Sequence, residues 1–180
     1  MFVKKRDGKL RLCADYQVLN KVIKKDRHPL PLINEALNTL GGAKYFTKLD
    51  IKDPNHNIRI KEGDDWKTIF STKLETYEYL VMPFGLCNAP AVFQRLINEV
   101  LMKDIDLYCI IYLDDVLIYL NTLQQHRKDF SNILEALRDS GMKVKPFKCE
   151  IHQSETEYLA FIIAQEGVKA DPIKMQAIWN

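Results

Sequence analysis

Asp114 and Asp115 stand side by side in Cys-Ile-Ile-Tyr-Leu-Asp-Asp-Val-Leu-Ile-Tyr-Leu, residues 109–120, the most apolar stretch of this 180-residue chain. Two carboxylates about 4 Å apart repel by roughly 4 kcal/mol at an effective dielectric of about 20. That is a large fraction of the ~5–15 kcal/mol that holds a domain together. Such a pair raises one pKa, sits exposed at a hairpin tip, or binds a cation. Hard divalent cations prefer carboxylate oxygens, and Mg²⁺ is commonly held by one or two carboxylates together with substrate phosphates. A third carboxylate, Asp50 near the end of Ala-Lys-Tyr-Phe-Thr-Lys-Leu-Asp-Ile, would suit a two-metal site for in-line displacement at phosphorus. An exposed acidic turn is the plain alternative, and the pair alone does not separate the two.

For three carboxylates to meet, strands must carry them. Both flanks of the aspartate pair are short, β-branched or aromatic and free of polar residues, which predicts a hairpin of buried strands. Residues 43–51 predict a strand ending near Asp50. Between them, Asn88 and Pro90 open a helix with Val92, Phe93, Leu96, Ile97, Val100 and Leu101 at helical spacing. Strand, helix, hairpin is the order of a split βαβ unit. Further expectations are a hairpin about Asp7-Gly8 with Lys9 and Arg11 on one face and Leu10 and Leu12 on the other, and a helix from Pro31 carrying Ile33, Leu37 and Leu40 to Gly41-Gly42. "HNIRI" and "WKTIFST" read as two strands about a polar turn. Thr122 and Gln125 form a capping box for a helix with Phe130, Ile133, Leu134 and Leu137 inward. "KVKPFKC" and "YLAFIIA" read as strands, and Asp171-Pro172 begins a last helix. His126 reads as solvated, and His28, His56 and His152 show no partner pattern.

Composition narrows the class. The chain is 47% hydrophobic and 28% charged, as in soluble globular proteins and unlike disordered tails. No apolar run approaches the ~18 residues of a membrane span, and Lys4, Lys5 and Arg6 stand where a signal peptide needs apolar residues. Cys13, Cys87, Cys109 and Cys149 form no CxxC pair, which predicts reduced thiols in an intracellular, non-secreted protein. Residues 1–28 hold nine Lys or Arg against three Asp, net +6, while the rest hold 17 basic against 21 acidic, net −4. A basic arm beside an acidic body suits either a polyanion partner or a solvated surface.

The flanked Tyr-Leu-Asp-Asp resembles the Tyr-x-Asp-Asp signature of reverse transcriptases. "KKRDGKLRLCADYQVLNK", "PLPLINEALNTLGGAKYFTKLDI", "YLVMPFGLCNAPAVFQRLINEVL", "YLDDVLIY" and "KCEIHQSETEYLAFIIAQEGVKADP" follow the order found in the polymerase of gypsy-like LTR retrotransposons, within a retrovirus-related Pol polyprotein. The resemblance implies an α+β fold: a polymerase palm with a split βαβ, ferredoxin-like core, part of the fingers, and no thumb. About 1–42 and 55–85 would be fingers or the fingers–palm junction, 43–54 and 86–170 palm, and 171–180 the start of the thumb. It implies RNA-directed DNA polymerase activity on a primer 3′-hydroxyl, with Asp50, Asp114 and Asp115 as catalytic and metal-binding residues for two Mg²⁺ ions, Mn²⁺ substituting. Lys4, Lys5, Arg11, Asp53, Asn55, Phe84 and Gly85 match nucleotide-binding positions, and a guanidinium fork suits phosphate. Gln94, Tyr112, Leu159 and Ala160 match template or primer positions. The implied partners are an RNA or DNA template with its primer and deoxynucleoside triphosphates, with thumb, RNase H and integrase modules in a full polyprotein and no membrane. The implied location is cytoplasmic, in a retroelement particle, or nuclear.

Four positions depart from the family pattern. Pro54 and Asn55 stand where relatives usually carry a small residue and an aromatic that excludes a ribose 2′-hydroxyl. Proline offers no N–H to a triphosphate, and asparagine itself hydrogen-bonds to hydroxyls. Gln17 replaces an arginine, and Ala160 replaces a glycine in the primer-grip segment. A truncated, catalytically impaired remnant that keeps fold and nucleic-acid binding is the alternative these departures raise. An RNA-templated RNA polymerase also uses an aspartate pair, but "PFGLCNAP" and "LGGAKYFTKLD" argue against it. A generic Ca²⁺-binding or structural hairpin protein comes last.

Overall fold

The computed structural model describes residues 2–4, 8 and 10–170. In chain order the elements are β1 (Phe2–Lys4), β2 (Leu10–Leu12), α1 (Gln17–Val22), α2 (Ile33–Asn38), β3 (Tyr45–Asp50), β4 (Phe70–Ser71), β5 (Thr76–Tyr77), α3 (Ala89–Val100), β6 (Cys109–Tyr112), β7 (Asp115–Leu120), α4 (Leu123–Asp139), β8 (Glu150–Gln153), β9 (Glu155–Tyr158), β10 (Phe161–Ala164) and β11 (Gly167–Ala170). The chain divides into two compact units: one contains the segment ending at Pro29 and Asp53–Arg95, the other Leu30–Lys52 and the chain from Leu96 onward.

The second unit is built on a four-stranded sheet of order β6-β7-β3-β8, antiparallel throughout. Taken with the intervening α3 and with α4, this is the β-α-β-β-α-β order of the expected split βαβ core. Alternation along the strands gives the sheet two buried faces. Phe46, Ile110, Leu117 and Tyr119 share one core with Leu37 and Leu40 and with Tyr158 and Ile163 of the β9–β10–β11 sheet. Leu37 and Leu40 therefore belong with the sheet and not with the segment that precedes them. On the opposite face α4 packs over β7, β3 and β8 and buries Ile133 and Leu137. Thr122 caps α4 by accepting the Gln125 N–H, as its spacing predicts. Phe130 and Leu134 are only half-buried.

His126 corrects an expectation. It has no exposed surface, and its Nε2 lies 2.7 Å from Thr47 Oγ1. It meets the His152 ring edge-on at 5.0 Å, and His152 also packs against Phe130. A polar ring one turn into an amphipathic helix reads as exposed in sequence; Thr47, 79 residues away, supplies the partner.

Proline and turns explain the other differences. "HNIRI" is not a strand: Pro54–Asn57 is a 3₁₀ turn and Arg59 makes a single bridge to Val81. "WKTIFST" is a 3₁₀ turn, Asp65–Thr68, followed by the two-residue β4. In "KVKPFKC" Pro146 opens a third 3₁₀ turn, Pro146–Lys148, and the strand is β8 just beyond it. "YLAFIIA" folds back at Leu159-Ala160, joining β9 to β10. Both turn residues have positive φ, 50° and 71°, a conformation that costs a residue with a side chain roughly 1–2 kcal/mol. Replacing Leu159-Ala160 by Asn-Gly, the favoured pair for such a two-residue turn, is expected to stabilise the protein by about 1–2 kcal/mol, measured as a shift of the urea midpoint.

In the first unit β1 and β2 pair as the expected hairpin. Its apolar residues are not covered: Phe2, Val3 and Leu10 are exposed. The helix expected after Asp171-Pro172 lies outside the described residues. No helix among the described residues is long and apolar enough to cross a membrane.

Candidate catalytic site

The acidic residues come together through strand register. Asp50 at the end of β3 lies directly opposite Asp115 at the start of β7, and Asp115 is also opposite Tyr112 of β6. Residues directly opposed on neighbouring strands point to the same face, so the three side chains form a row. Asp114 occupies the two-residue turn between β6 and β7, and its carbonyl accepts the Ile51 N–H at 2.8 Å, tying the turn to the end of β3. Leu113, before it, has a φ of +54°, a left-handed conformation that a leucine holds only where its surroundings fix it.

Charge in this row is unevenly compensated. Burial, then the charges of Asp114 and Asp50, push the Asp115 carboxyl up to about 6, against a weaker opposite pull from Lys48 and Lys148. Asp50 is held by two ammonium groups. Lys145 Nζ donates to Oδ1, and Lys148 Nζ lies 3.2 Å from Oδ2. The bond to Asp50 raises the Lys148 pKa. A cleft of about 400 Å³ opens here, lined by Lys48, Asp50, Asp115, Lys148, Glu157 and the Tyr158–Ala160 segment.

Among the described residues no three His, Cys, Asp or Glu side chains form a cluster able to hold a metal ion. The donor chemistry nevertheless fits a hard divalent cation. Asp50 and Asp115 offer carboxylate oxygens, Asp115 carries repulsion that a cation relieves, and Asp50 already binds positive charge at both oxygens.

The positions expected to bind nucleotide fall in the first unit. Lys4 is exposed on β1, and Arg11 lies on β2 opposite Val3; Lys5 lies outside the described residues. Asp53, at φ +45°, leads into the 3₁₀ turn that contains Pro54 and Asn55. Phe84 meets the His56 ring edge-on at 5.5 Å. Gly85, at φ +99°, lies where a Cβ would be 3.4 Å from Ala14 O, so both conformation and proximity favour glycine. Gln94 is fully buried in α3, so a direct contact with a template is not open to it in this conformation. Tyr112 is half-buried in the acidic row, and Leu159 and Ala160 line the cleft.

Sequence reasoning missed two groups. Asn20 of α1 donates to Gly85 O at 2.7 Å and accepts the Cys87 N–H at 2.8 Å, bracing the glycine loop. Lys145 and Lys148 were absorbed into an expected strand. Their three-residue spacing across a proline was the available signal, because a 3₁₀ turn places residues i and i+3 on one side.

A family model described as reverse transcriptase (RNA-dependent DNA polymerase) matches residues 3–163. The chain is 41% identical over 171 residues to the retrovirus-related Pol polyprotein from transposon 297 of Drosophila melanogaster, covering 95% of this chain and 16% of that protein. It is 39% identical to the transposon Tf2-3 polyprotein of Schizosaccharomyces pombe, covering 93% and 12%. Thus it spans about a sixth of the length of these relatives or less. Among solved structures, a foamy viral protease-reverse transcriptase in complex with double-stranded DNA superposes with a TM-score of 0.91 at 24% identity, over 99% of this chain and 31% of that one. The same type of protein in complex with an RNA/DNA hybrid gives 0.86 at 23%, over 99% and 24%. These likenesses establish the α+β, polymerase palm-like fold.

Proposed function

This chain belongs to the reverse transcriptase (RNA-dependent DNA polymerase) family, and on that premise we propose that it performs template-directed addition of deoxynucleotides to a primer 3′-hydroxyl within a retrotransposon Pol polyprotein. The observation that carries the reading is the register that sets Asp50 opposite Asp115, with Asp114 adjoining in the turn. Asp50, Asp114 and Asp115 would hold two Mg²⁺ ions, or Mn²⁺ in their place, which when bound make the hydroxyl a better nucleophile and stabilise charge at the reacting phosphorus. The chain's own part is to keep Asp50 and Asp115 on one sheet face with Asp114 in the adjoining turn, and to hold Asp115 partly out of bulk water, which strengthens its attraction for positive charge.

In this reading the second unit belongs to the palm, with Tyr112, Leu159 and Ala160 toward the primer, and Gln94, near the end of the first unit, supports the template side. The first unit belongs to the fingers, where Lys4, Lys5 and Arg11 grip the triphosphate and Asp53, Asn55, Phe84 and Gly85 shape the nucleotide site. RNA or DNA template, primer and deoxynucleoside triphosphates are the partners, and thumb, RNase H and integrase modules belong to the larger polyprotein. The compartment is the cytoplasm or nucleus.

Pro54 and Asn55 favour a second reading, an impaired remnant, since Pro54 starts its 3₁₀ turn without an N–H to offer. Extension of a DNA primer on a homopolymeric RNA template with Mg²⁺ or Mn²⁺ separates the two. Incorporation supports the enzyme; its absence, with salt-sensitive duplex binding retained, supports the remnant. Pro54→Gly with Asn55→Tyr is expected to raise deoxynucleotide incorporation roughly tenfold, the worth of about one lost or misplaced polar contact. An unchanged rate counts against this account of the segment.

A further inference from the structure

We propose that Lys145 and Lys148 are the resident counter-cations of Asp50 and must leave its carboxylate before a divalent cation binds, so that these two side chains set the metal affinity of the site. The proposal rests on the reading of Asp50, Asp114 and Asp115 as a cation site and deepens it.

Three features carry it. Both Asp50 oxygens are engaged, one by each ammonium. The grip is built into the backbone: the Lys145 N–H donates to Asp50 O at 2.8 Å, Lys145 Nζ also donates to Ile51 O at 3.2 Å, and the Pro146–Lys148 turn brings Lys148 to the same side. Finally, compensation is unequal. Asp50 holds two cations, while among the described residues no lysine forms an ion pair with Asp115 opposite. The direct grip aims the Asp50 donor atoms at the lysines.

An ammonium and a divalent cation compete for the same lone pairs, so removing the ammonium frees the ligand. Lys48 provides the control. It lines the same cleft and carries the same charge, but it holds Glu150 at 2.8 Å and Glu157 O at 2.8 Å and not Asp50. These lysines act by positioning Asp50 and touch no reacting atom in this account.

The test is Mn²⁺ binding, read from the free-ion electron paramagnetic resonance signal, in the wild type and in Lys145→Met, Lys148→Met, Lys48→Met, Lys145→Arg and Asp115→Asn. Lys145→Met and Lys148→Met are expected to tighten binding roughly fivefold each, the upper end of what an accessible ion pair is worth. Lys48→Met should change it less than twofold, and Lys145→Arg should return wild-type affinity. If both methionine variants bind as the wild type does, or no better than Lys48→Met, while Asp115→Asn abolishes binding, the counter-cation role is wrong and the metal site stands. If no protein binds Mn²⁺ in a way that Asp115→Asn removes, the site and the role fall together. Should Lys145→Met not fold by circular dichroism, the comparison of Lys148→Met with Lys48→Met decides alone, because the Lys148 side chain is 64% exposed.

Discussion

Asp115→Asn is expected to lower primer extension by about a thousandfold or more and, at neutral pH, to make the metal-free protein more stable by about 2 kcal/mol. The first effect follows from the proposed function, in which Asp115 is a carboxylate ligand at a site whose chemistry depends on bound cations. The second has the opposite sign because the ionised side chain is a burden to the fold: burial and the charges of Asp114 and Asp50 raise its pKa to about 6. A shift of that size is worth about 3 kcal/mol, reduced here because the side chain is partly exposed. A carboxyl whose folded pKa is raised contributes stability that is complete below its unfolded value and disappears as pH rises through about 6. The gain from asparagine should therefore be present at pH 7 and absent near pH 3.5. Paired urea titrations and extension assays check it. A variant that is both inactive and less stable at pH 7 would show that Asp115 is a structural acid.

Acidification from pH 7 to pH 4 should cost the fold about 3 kcal/mol through His126 alone. Burial first, then His152, lower the His126 pKa to about 4, against a partial opposite pull from Asp129. The groups around it are Tyr45 and Thr47 of β3, His152 of β8, itself lowered by burial and by Arg127, and Asp129 on its own helix, held by Gln125. Neither His126 Nδ1 nor His152 Nδ1 has a hydrogen-bond partner, so an added proton there would be buried and unpaired. A histidine with a lowered folded pKa gives stability that is present above its unfolded value of about 6.5 and is lost as pH falls through about 4. His126→Gln keeps a polar atom within reach of Thr47 and removes the titration, so its urea midpoint should vary less between pH 7 and 4. The Asp115 and His126 contributions run in opposite directions over nearly the same range. Asp115→Asn should consequently show a steeper acid loss than the wild type; equal slopes would mean that the Asp115 assignment is wrong.

What sequence revealed and what it hid divides along distance in the chain. Tyr-Leu-Asp-Asp between two apolar strands is a local pattern, and its hairpin is as expected. Asp50 was legible as a strand end, and the strand-helix-hairpin order led to the correct sheet. Leu159-Ala160 was not legible as a turn, because neither residue favours positive φ and the segment reads as a continuous strand. Lys145 and Lys148 sit in a segment that reads as a strand, and their pairing with Asp50 is hidden because that partner lies about 95 residues earlier. His126 was misjudged for the same reason: only the fold delivers Thr47 to it. Short-range propensity reports on caps and strands, whereas charge pairing across the sheet depends on topology.

The strands that carry Asp50 and Asp115 are the two inner ones of four, each bonded to a neighbour on both sides. Opening at the sheet margins, where fluctuations begin, leaves their alignment untouched. Pro54 and Asn55 lie instead on a short turn outside any sheet. If the proposed nucleotide role of that turn holds, a copy of this gene drifting without selection would lose discrimination among nucleotides long before the acidic row came out of register, and its fossil would still fold as a palm.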